Sequence, residues 1–287
     1  MILVTGATGF IGRSLTRALD EEGARFHTYQ GRINDPLRLR EALAGVHTVY
    51  HLAGAESRGR ARLLSHVDVE GTQRLLEESR RADVKRLIVM SRLGADPNSI
   101  YPLLRAKGKV ERLVARGGIT YTVVRSASLF GIEDRFLNTI ASLAAWSWPF
   151  LWLPGGGKAL FQPLWVEDLV QCLLLTLERP EMRNRIVEVA GEERFYYREL
   201  AEIVSSVAGL NRIPIRLDLR VVSPLARLTM GWWRRPPVTP FLMNRFSVPE
   251  TAPVDSVLRT FGFRPGRLDE HIAYLRRGGH RRRLLRR

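Results

Sequence analysis

The first twelve residues constrain the fold of this chain more than any other segment. They read M-I-L-V-T-G-A-T-G-F-I-G, a short apolar run that leads into glycines at positions 6, 9 and 12. Gly6 permits a tight turn, Gly9 lets backbone amides approach a pyrophosphate, and Gly12 lets the following helix pack on the strand. Phosphates bind at such a helix N-terminus because free N–H groups and the helix dipole favour negative charge. The spacing therefore predicts a dinucleotide site formed by Gly6, Thr8, Gly9, Phe10, Ile11 and Gly12.

Apolar strands alternate with amphipathic helices along most of the chain. Strands are predicted at 1–5, 24–30, 47–53, 86–91, 120–125 and 185–190, and helices at 11–22, 36–44, 66–82, 102–116, 134–147, 166–178 and 196–208. This alternation predicts an α/β fold, a doubly wound Rossmann-type parallel sheet with a small C-terminal lobe. We expect an NAD(P)-binding domain at 1–190, a substrate or partner lobe at 191–275 and a basic tail at 276–287.

Several segments resemble the atypical and extended short-chain dehydrogenase/reductases, the NAD-dependent epimerase/dehydratase type. T-G-A-T-G-F-I-G is similar to their first βα turn, residues 69–76 to the helix that carries their V-N-x-x-G-T motif, and residues 84–91 to a strand that ends on serine. A narrower series resembles the subgroup that contains the Rossmann-type accessory subunit of respiratory complex I and its bacterial relatives. Its pieces are S-R-L-G-A-D at 91–96, R-A-K at 105–107, R-S-A-S-L-F-G at 125–131, D-R-F-L-N at 134–138 and F-Q-P-L-W-V-E-D at 161–168. The resemblance implies that Leu52, Ala53 and Gly54 also line the cofactor.

The segment after the second strand bears on the choice of cofactor. Sites that prefer NAD carry an acidic residue about 20 residues after the glycines to bind the ribose 2′-hydroxyl. Here residues 26–32 read F-H-T-Y-Q-G-R, with Gln30 near the acidic position and Arg32 available for a 2′-phosphate. This favours NADP(H) over NAD(H), although a solvated surface arginine is the alternative. G-R-I-N-D at 31–35 also departs from the family's G-D-x-x-D.

The catalytic positions depart further from the family. The resemblance implies a tyrosine four residues before a lysine, whose charge lowers the tyrosine pKa. Lys107 fits the lysine, but Leu103 stands at the tyrosine position, and Tyr101 lies about 120° away around a helix. Ser91 matches the serine that orients substrate. Ser91 and Lys107 are therefore predicted to be a catalytic remnant that still contacts the cofactor, and an active enzyme with a non-standard acid stays open as the alternative.

Charge and apolar segments indicate an anionic partner. The net charge is +16, and residues 276–287 contain seven arginines. No charged residue occurs between Phe136 and Gly157, so 136–153 is interpreted either as core or as a membrane interface. For 221–235, which ends W-W-R-R, we favour an interface. Nucleic acid is not expected, because no binding module accompanies the basic tail.

The remaining features set broad limits. The single Cys172 fits a reducing compartment, and the six histidines show no metal-ligand spacing, so no metal site is expected. Together these observations predict a cytoplasmic, membrane-peripheral protein that binds NADP(H). The resemblance implies a structural or assembly role in a quinone-linked respiratory complex, or a role in quinone metabolism. An active NAD(P)-dependent oxidoreductase or sugar-nucleotide epimerase is the alternative.

Overall fold

A six-stranded parallel sheet forms the centre of the computed structural model, which describes residues 1–218, 241 and 244–278. The strand order β10-β5-β4-β3-β1-β2 confirms the predicted doubly wound α/β class. The strands within the described residues are β1 Ile2–Thr5, β2 Phe26–Tyr29, β3 Thr48–His51, β4 Arg86–Arg92, β5 Thr120–Ser126, β6 Leu129–Phe130, β7 Phe150–Pro154, β8 Leu160–Phe161, β9 Leu164–Trp165, β10 Arg185–Val189, β11 Phe195–Tyr196 and β12 Ile213–Leu217.

The helices connect these strands as the sequence pattern predicts. Those described are α1 Phe10–Glu21, α2 Pro36–Leu43, α3 Ala61–Leu63, α4 Gly71–Arg81, α5 Pro102–Ala115, α6 Leu137–Trp146, α7 Val166–Glu178, α8 Tyr197–Val207, α9 Ser256–Phe261 and α10 Leu268–His271. A π-helix at Leu64–Glu70 joins α3 to α4. Short 3₁₀ turns lie at Glu56–Arg58, Gly155–Gly157, Pro180–Met182 and Ile272–Arg277. Among the helices described, none is long and apolar enough to cross a bilayer.

The chain divides into two compact units. The first comprises Met1–Glu56, Arg60–Ser126 and Val166–Val189 and contains the six-stranded sheet. The second comprises Ser57–Gly59, Ala127–Trp165 and the described part of Ala190–Arg287. It contains three two-stranded sheets, formed by β6 with β9, β7 with β12 and β8 with β11. The domain limits expected from the sequence stay a prediction. Residues 221–235 and 279–287 lie outside the described part of the chain.

The strand β2 lies at one edge of the large sheet. It pairs with β1 in parallel, and no described strand pairs with its outer side. The chain then passes from Tyr29 through six residues to Pro36, where α2 begins. Asp35 caps this helix, because its Oδ1 accepts a hydrogen bond from the Arg38 N–H at 3.2 Å. The connection from β2 to α2 is thus a direct turn from strand to helix cap.

A buried histidine links three elements of the first unit. His51, on β3, places Nδ1 2.8 Å from Thr5 Oγ1 and Nε2 2.9 Å from Thr72 Oγ1. The Thr72 hydroxyl donates its proton to the Asp68 carbonyl at 2.5 Å, so it accepts from Nε2–H. Because burial keeps the ring neutral, Nδ1 carries no proton and accepts from the Thr5 hydroxyl. Burial and, secondarily, the charge of Lys107 lower the pKa of His51 to about 3.

The D-R-F-L-N segment is an internal brace of the second unit. Asp134 is buried, and its Oδ2 accepts from the Tyr274 hydroxyl at 2.5 Å and from Asn138 Nδ2 at 3.1 Å. Its Oδ1 accepts from the Asn138 N–H at 3.2 Å, which fixes the first turn of α6. Burial raises the pKa of Asp134 and these hydrogen bonds oppose that rise. A segment that the resemblance singled out therefore serves packing in this chain.

Gln162 of the F-Q-P segment has a similar structural role. Its side chain is fully buried, donates to the Gly191 carbonyl at 2.5 Å and accepts from the Ala252 N–H at 3.0 Å. A Cβ at Gly191 would lie 2.0 Å from the Pro163 carbonyl oxygen, so only glycine fits there. Gln162 thus ties together three separate stretches of the second unit.

The neutral state of His51 predicts a loss of stability in acid. The unfolded chain binds a proton at His51 near pH 6.5, whereas the folded chain does not until pH falls to about 3. Between these values the unfolded state binds more protons, so stability falls as pH falls. We expect His51 to contribute a loss of about 2 kcal/mol between pH 7 and pH 5, measured by urea unfolding. His51→Gln should flatten this dependence, and His66→Gln, at an exposed histidine, should not. Equal pH dependence in the His51 variant and the wild type would contradict the assignment.

Candidate nucleotide site

The glycine turn after β1 is closed by contacts that exclude any side chain. Gly6 has φ +74°, and a Cβ there would lie 2.6 Å from the Ala53 nitrogen. A Cβ at Gly12 would lie 2.2 Å from the Gly6 carbonyl oxygen, so α1 packs directly on the turn. Gly9 is exposed, and its N–H donates to the Gly6 carbonyl at 2.9 Å. Gly6 and Gly12 therefore bring the helix close and leave the backbone at Gly9 open.

The N-terminus of α1 has the features of an anion site. Its cap residue is Gly9, no side chain caps it, and its first turn has no acidic residue. Thr8 is exposed, while Phe10 and Ile11 are half-buried. The first N–H groups of this twelve-residue helix thus have no side-chain acceptor and can bind a pyrophosphate. This cradle, which a Cβ would fill, fits the phosphates of a dinucleotide.

The residues that follow β3 lie beside this turn. The backbone of Leu52 and Ala53 contacts Gly6, which places the two strand ends together. Gly54 is exposed, and a Cβ there would lie 3.1 Å from Asp68 Oδ1 and 3.6 Å from Lys107 Nζ. The structure therefore brings Leu52 and Ala53 next to the glycine turn, and Gly54 next to Lys107.

The end of β2 presents a cation. The Tyr29 hydroxyl donates to the Arg32 carbonyl oxygen at 2.8 Å, and the Tyr29 ring covers Gly31. Gln30 and Arg32 are exposed, and the Arg32 guanidinium pairs with no described residue. Asp35 is the single carboxylate within residues 26–35, and it is engaged in capping α2. The end of this strand thus offers a positive charge without a nearby competing acid.

Lys107 forms a buried ion pair. Its Nζ lies 3.0 Å from Asp68 Oδ1, and the side chains are 13% and 1% exposed. Asp68 Oδ2 accepts from the Ala55 N–H at 2.8 Å, so both carboxylate oxygens are used. Asp68 lies on the π-helix, a rare geometry that often occurs at functional sites. The positive charge of Lys107, which would act on a neighbouring tyrosine or ribose, is therefore neutralised by the Asp68 carboxylate.

Asp68 is a site residue that the sequence pattern did not predict. It stands four residues before Thr72, where the family motif V-N-x-x-G-T has asparagine. A carboxylate at the asparagine position of this motif is the sequence signal that could have identified Asp68 as a partner for Lys107. The replacement of a neutral amide by a carboxylate turns a hydrogen-bonding position into the partner of the lysine.

Ser91 is likewise engaged within the first unit. Its Oγ donates to Glu111 Oε1 at 2.5 Å, and both residues are buried. Arg125 binds the same carboxylate through two bonds of 2.9 and 2.7 Å, and the Glu111 hydrogen bond raises the pKa of Arg125. The serine hydroxyl therefore belongs to a buried Ser–Glu–Arg network.

No acid stands at the position implied by the family. Leu103 is buried on the first turn of α5, with 3% of its surface exposed. Tyr101 stands at the N-cap position of the same helix without a side-chain capping hydrogen bond, and the helix begins at Pro102, as the sequence predicts. Its N–H donates to Ser99 Oγ at 3.1 Å. The described residues also contain no group of three or more His, Cys, Asp or Glu side chains that could hold a metal.

The glycine turn, the uncapped helix and the position of Lys107 define a dinucleotide-binding fold, and comparison with known proteins agrees. The model of the NAD-dependent epimerase/dehydratase family matches residues 2–190, and the chain belongs to this family. It is similar to the NADH-ubiquinone oxidoreductase 40 kDa subunit, mitochondrial, of Neurospora crassa, with 25% identity covering 80% of this chain and 66% of that protein. It is also similar to NADH dehydrogenase (ubiquinone) 1 alpha subcomplex subunit 9, mitochondrial, of Arabidopsis thaliana, with 29% identity covering 70% and 56%.

The chain thus spans less than two thirds of the length of each of these relatives. Both matches confirm the resemblance to the accessory-subunit branch of the family. Among solved structures, MoeE5 in complex with UDP-glucose and NAD has a TM-score of 0.76 and 21% identity, covering 99% of each chain. At that identity the likeness confirms the fold alone.

Proposed function

We propose that this protein binds NADP(H) without turning it over and serves as a structural or assembly component of a membrane-bound, quinone-linked complex. The observation that carries the proposal is the Lys107–Asp68 ion pair beside Leu103. A reductase of this family needs a tyrosine whose pKa is lowered by the lysine. Here the tyrosine is absent and the lysine charge is matched by a carboxylate, while the phosphate cradle at the N-terminus of α1 is complete.

Two parts of the site would contact the phosphates of the dinucleotide. The N–H groups that follow Gly9 would hold the pyrophosphate, and Arg32 would meet a phosphate on the adenosine ribose. When bound, a nicotinamide cofactor supplies a hydride donor or acceptor. The contribution of this chain is binding and orientation, because no residue at the family's acid position can move a proton.

The preference for NADP(H) predicts a selective effect of Arg32. We expect the wild type to bind NADPH more tightly than NADH, measured by titration calorimetry. Arg32→Ala should weaken NADPH binding by roughly 1–3 kcal/mol, the range for a charge-assisted hydrogen bond, and leave NADH binding nearly unchanged. Arg25→Ala, an exposed arginine before β2, is the matched control. Equal affinities for the two cofactors, or tighter NADH, would contradict the preference.

The absent acid predicts very slow turnover. We expect NADPH oxidation with simple carbonyls and quinones to be about 10²–10⁴-fold slower than in a tyrosine-bearing reductase, because general-acid catalysis contributes a factor of that size. Leu103→Tyr alone should stay slow while Asp68 holds Lys107, and Leu103→Tyr/Asp68→Asn should be faster. Brisk wild-type turnover that Tyr101→Phe abolishes would identify Tyr101 as the acid and favour the active-enzyme alternative.

The membrane-complex part of the proposal has its own support. The two relatives are named as subunits of ubiquinone-linked NADH dehydrogenases, and the chain carries a net charge of +16 with seven arginines at 276–287. A polybasic segment of this kind is attracted to anionic membrane surfaces. Affinity capture from detergent-solubilised membranes should recover the chain with subunits of a quinone-linked complex. Recovery of the chain alone, at a yield that does not depend on membranes, would contradict this role.

A further inference from the structure

The end of α6 and the turn that follows it expose large aromatic side chains. Trp146 is 59% exposed, Trp148 69% and Phe150 41%. On the neighbouring strand β12, Ile213 is 59% exposed. The interpretation of residues 136–153 as core therefore holds for the inner side chains of α6 and β7, and not for these three aromatic residues. Exposed apolar groups that are adjacent, rather than scattered, mark interaction sites.

These side chains form one contiguous surface. The rings of Trp146 and Trp152 meet edge to face with centroids 6.2 Å apart. The turn from α6 to β7 is closed by the Phe150 N–H, which donates to the Ser147 carbonyl at 2.7 Å. The Ile213 N–H donates to the Pro149 carbonyl at 2.8 Å and so joins β12 to the same turn.

The strand pairing places the apolar groups on one face. Leu151 and Leu153 of β7 are each 3% exposed and belong to the core of the second unit. Because side chains alternate along a strand, Phe150 and Trp152 lie on the opposite, outer face. Their register partners on β12 are Ile213 and Ile215. We define the aromatic surface as Trp146, Trp148, Phe150, Trp152, Ile213 and Ile215.

The segments that carry the aromatic surface hold cations. Residues 136–166 and 203–217 contain no aspartate or glutamate, and Glu167, Glu202 and Asp218 adjoin them in sequence. These two segments carry Lys158, Arg212 and Arg216. The Arg212 Nε–H donates to the Ala144 carbonyl at 2.6 Å, which fixes this arginine beside the end of α6. Lys158 and Arg216 are exposed, and neither pairs with a described residue.

We propose that the aromatic surface docks on an anionic lipid bilayer, with Trp146 and Trp148 in the headgroup region, Arg212 beside them, and Lys158 and Arg216 at the edge of the surface near lipid phosphates. Tryptophan prefers this depth, and arginine or lysine beside it adds electrostatic attraction. Charge complementarity favours an anionic bilayer, since cations adjoin the surface and the chain carries a net charge of +16. The inference rests on the membrane association proposed above and assigns it to a specific surface, independently of nucleotide binding.

The test measures partition of the full chain onto vesicles of phosphatidylcholine with and without phosphatidylglycerol. We expect wild type to bind the anionic vesicles at least tenfold more tightly than the neutral ones. Trp146→Ala/Trp148→Ala should weaken binding about tenfold or more in low salt and also at 1 M salt, where the Debye length is about 3 Å. Lys158→Glu/Arg216→Glu should weaken binding in low salt alone.

Leu37→Ala/Ile100→Ala removes two exposed apolar side chains of the first unit and is the matched control, expected to bind as wild type does. Circular dichroism and NADPH titration of each variant check the fold and the nucleotide site. If the tryptophan variant binds vesicles as wild type does, the inference is overturned, while membrane association through residues 276–287 stands. If wild type binds no anionic vesicle, the inference is also overturned, and the aromatic surface is then a protein interface.

Discussion

The close approach of α1 to the turn after β1 is the contact on which the candidate site depends. A Cβ at Gly12 would come within 2.2 Å of the Gly6 carbonyl oxygen, and one at Gly6 within 2.6 Å of the Ala53 nitrogen. These distances require glycine at both positions, because no rotamer can relieve a clash between a Cβ and the backbone. The approach has a consequence for charge, since it directs the uncapped N-terminus of α1 toward the ends of β1 and β3. The phosphate cradle is therefore a property of packing and does not need a catalytic residue nearby.

Two buried carboxylates, Asp68 and Glu111, bind the two residues that the sequence predicts to be a catalytic remnant. Asp68 binds Lys107, and Glu111 accepts from Ser91 while it pairs with Arg125. Removal of one partner from a buried ion pair costs about 3–5 kcal/mol, because the other charge stays buried and unmatched. Ser91 and Lys107 are thus held in place by interactions that stabilise the fold. The leucine at position 103 and the carboxylate at Asp68 are consistent with each other. Without a tyrosine whose pKa it must lower, Lys107 can pair with a carboxylate.

The sequence predicts those parts of the fold that depend on short-range patterns of apolar residues, glycine and proline. Alternating apolar runs located all six strands of the large sheet, and Pro102 located the start of α5. Long-range contacts were not accessible in the same way. Nothing local to Asp68 shows that Lys107, 39 residues later, reaches it. Nor does the apolar pattern of 136–157 distinguish the buried Leu151 from the exposed Trp148, because exposure depends on which face of β7 meets the core. The π-helix is missed for a related reason, since it differs from an α-helix by one hydrogen-bond step rather than by residue type.

A nucleotide held without chemistry can still act on the fold. A ligand that binds the native state and not the unfolded chain stabilises it by an amount that grows with the logarithm of its concentration over its dissociation constant. In this chain the residues around the cradle come from the ends of β1 and β3 and from the π-helix, so bound phosphates would brace elements that are distant in sequence. The buried network from Thr5 through His51 to Thr72 runs beneath the same elements. Occupancy of the site would therefore stabilise the first unit, which is the property that the proposed structural role requires of a bound nucleotide.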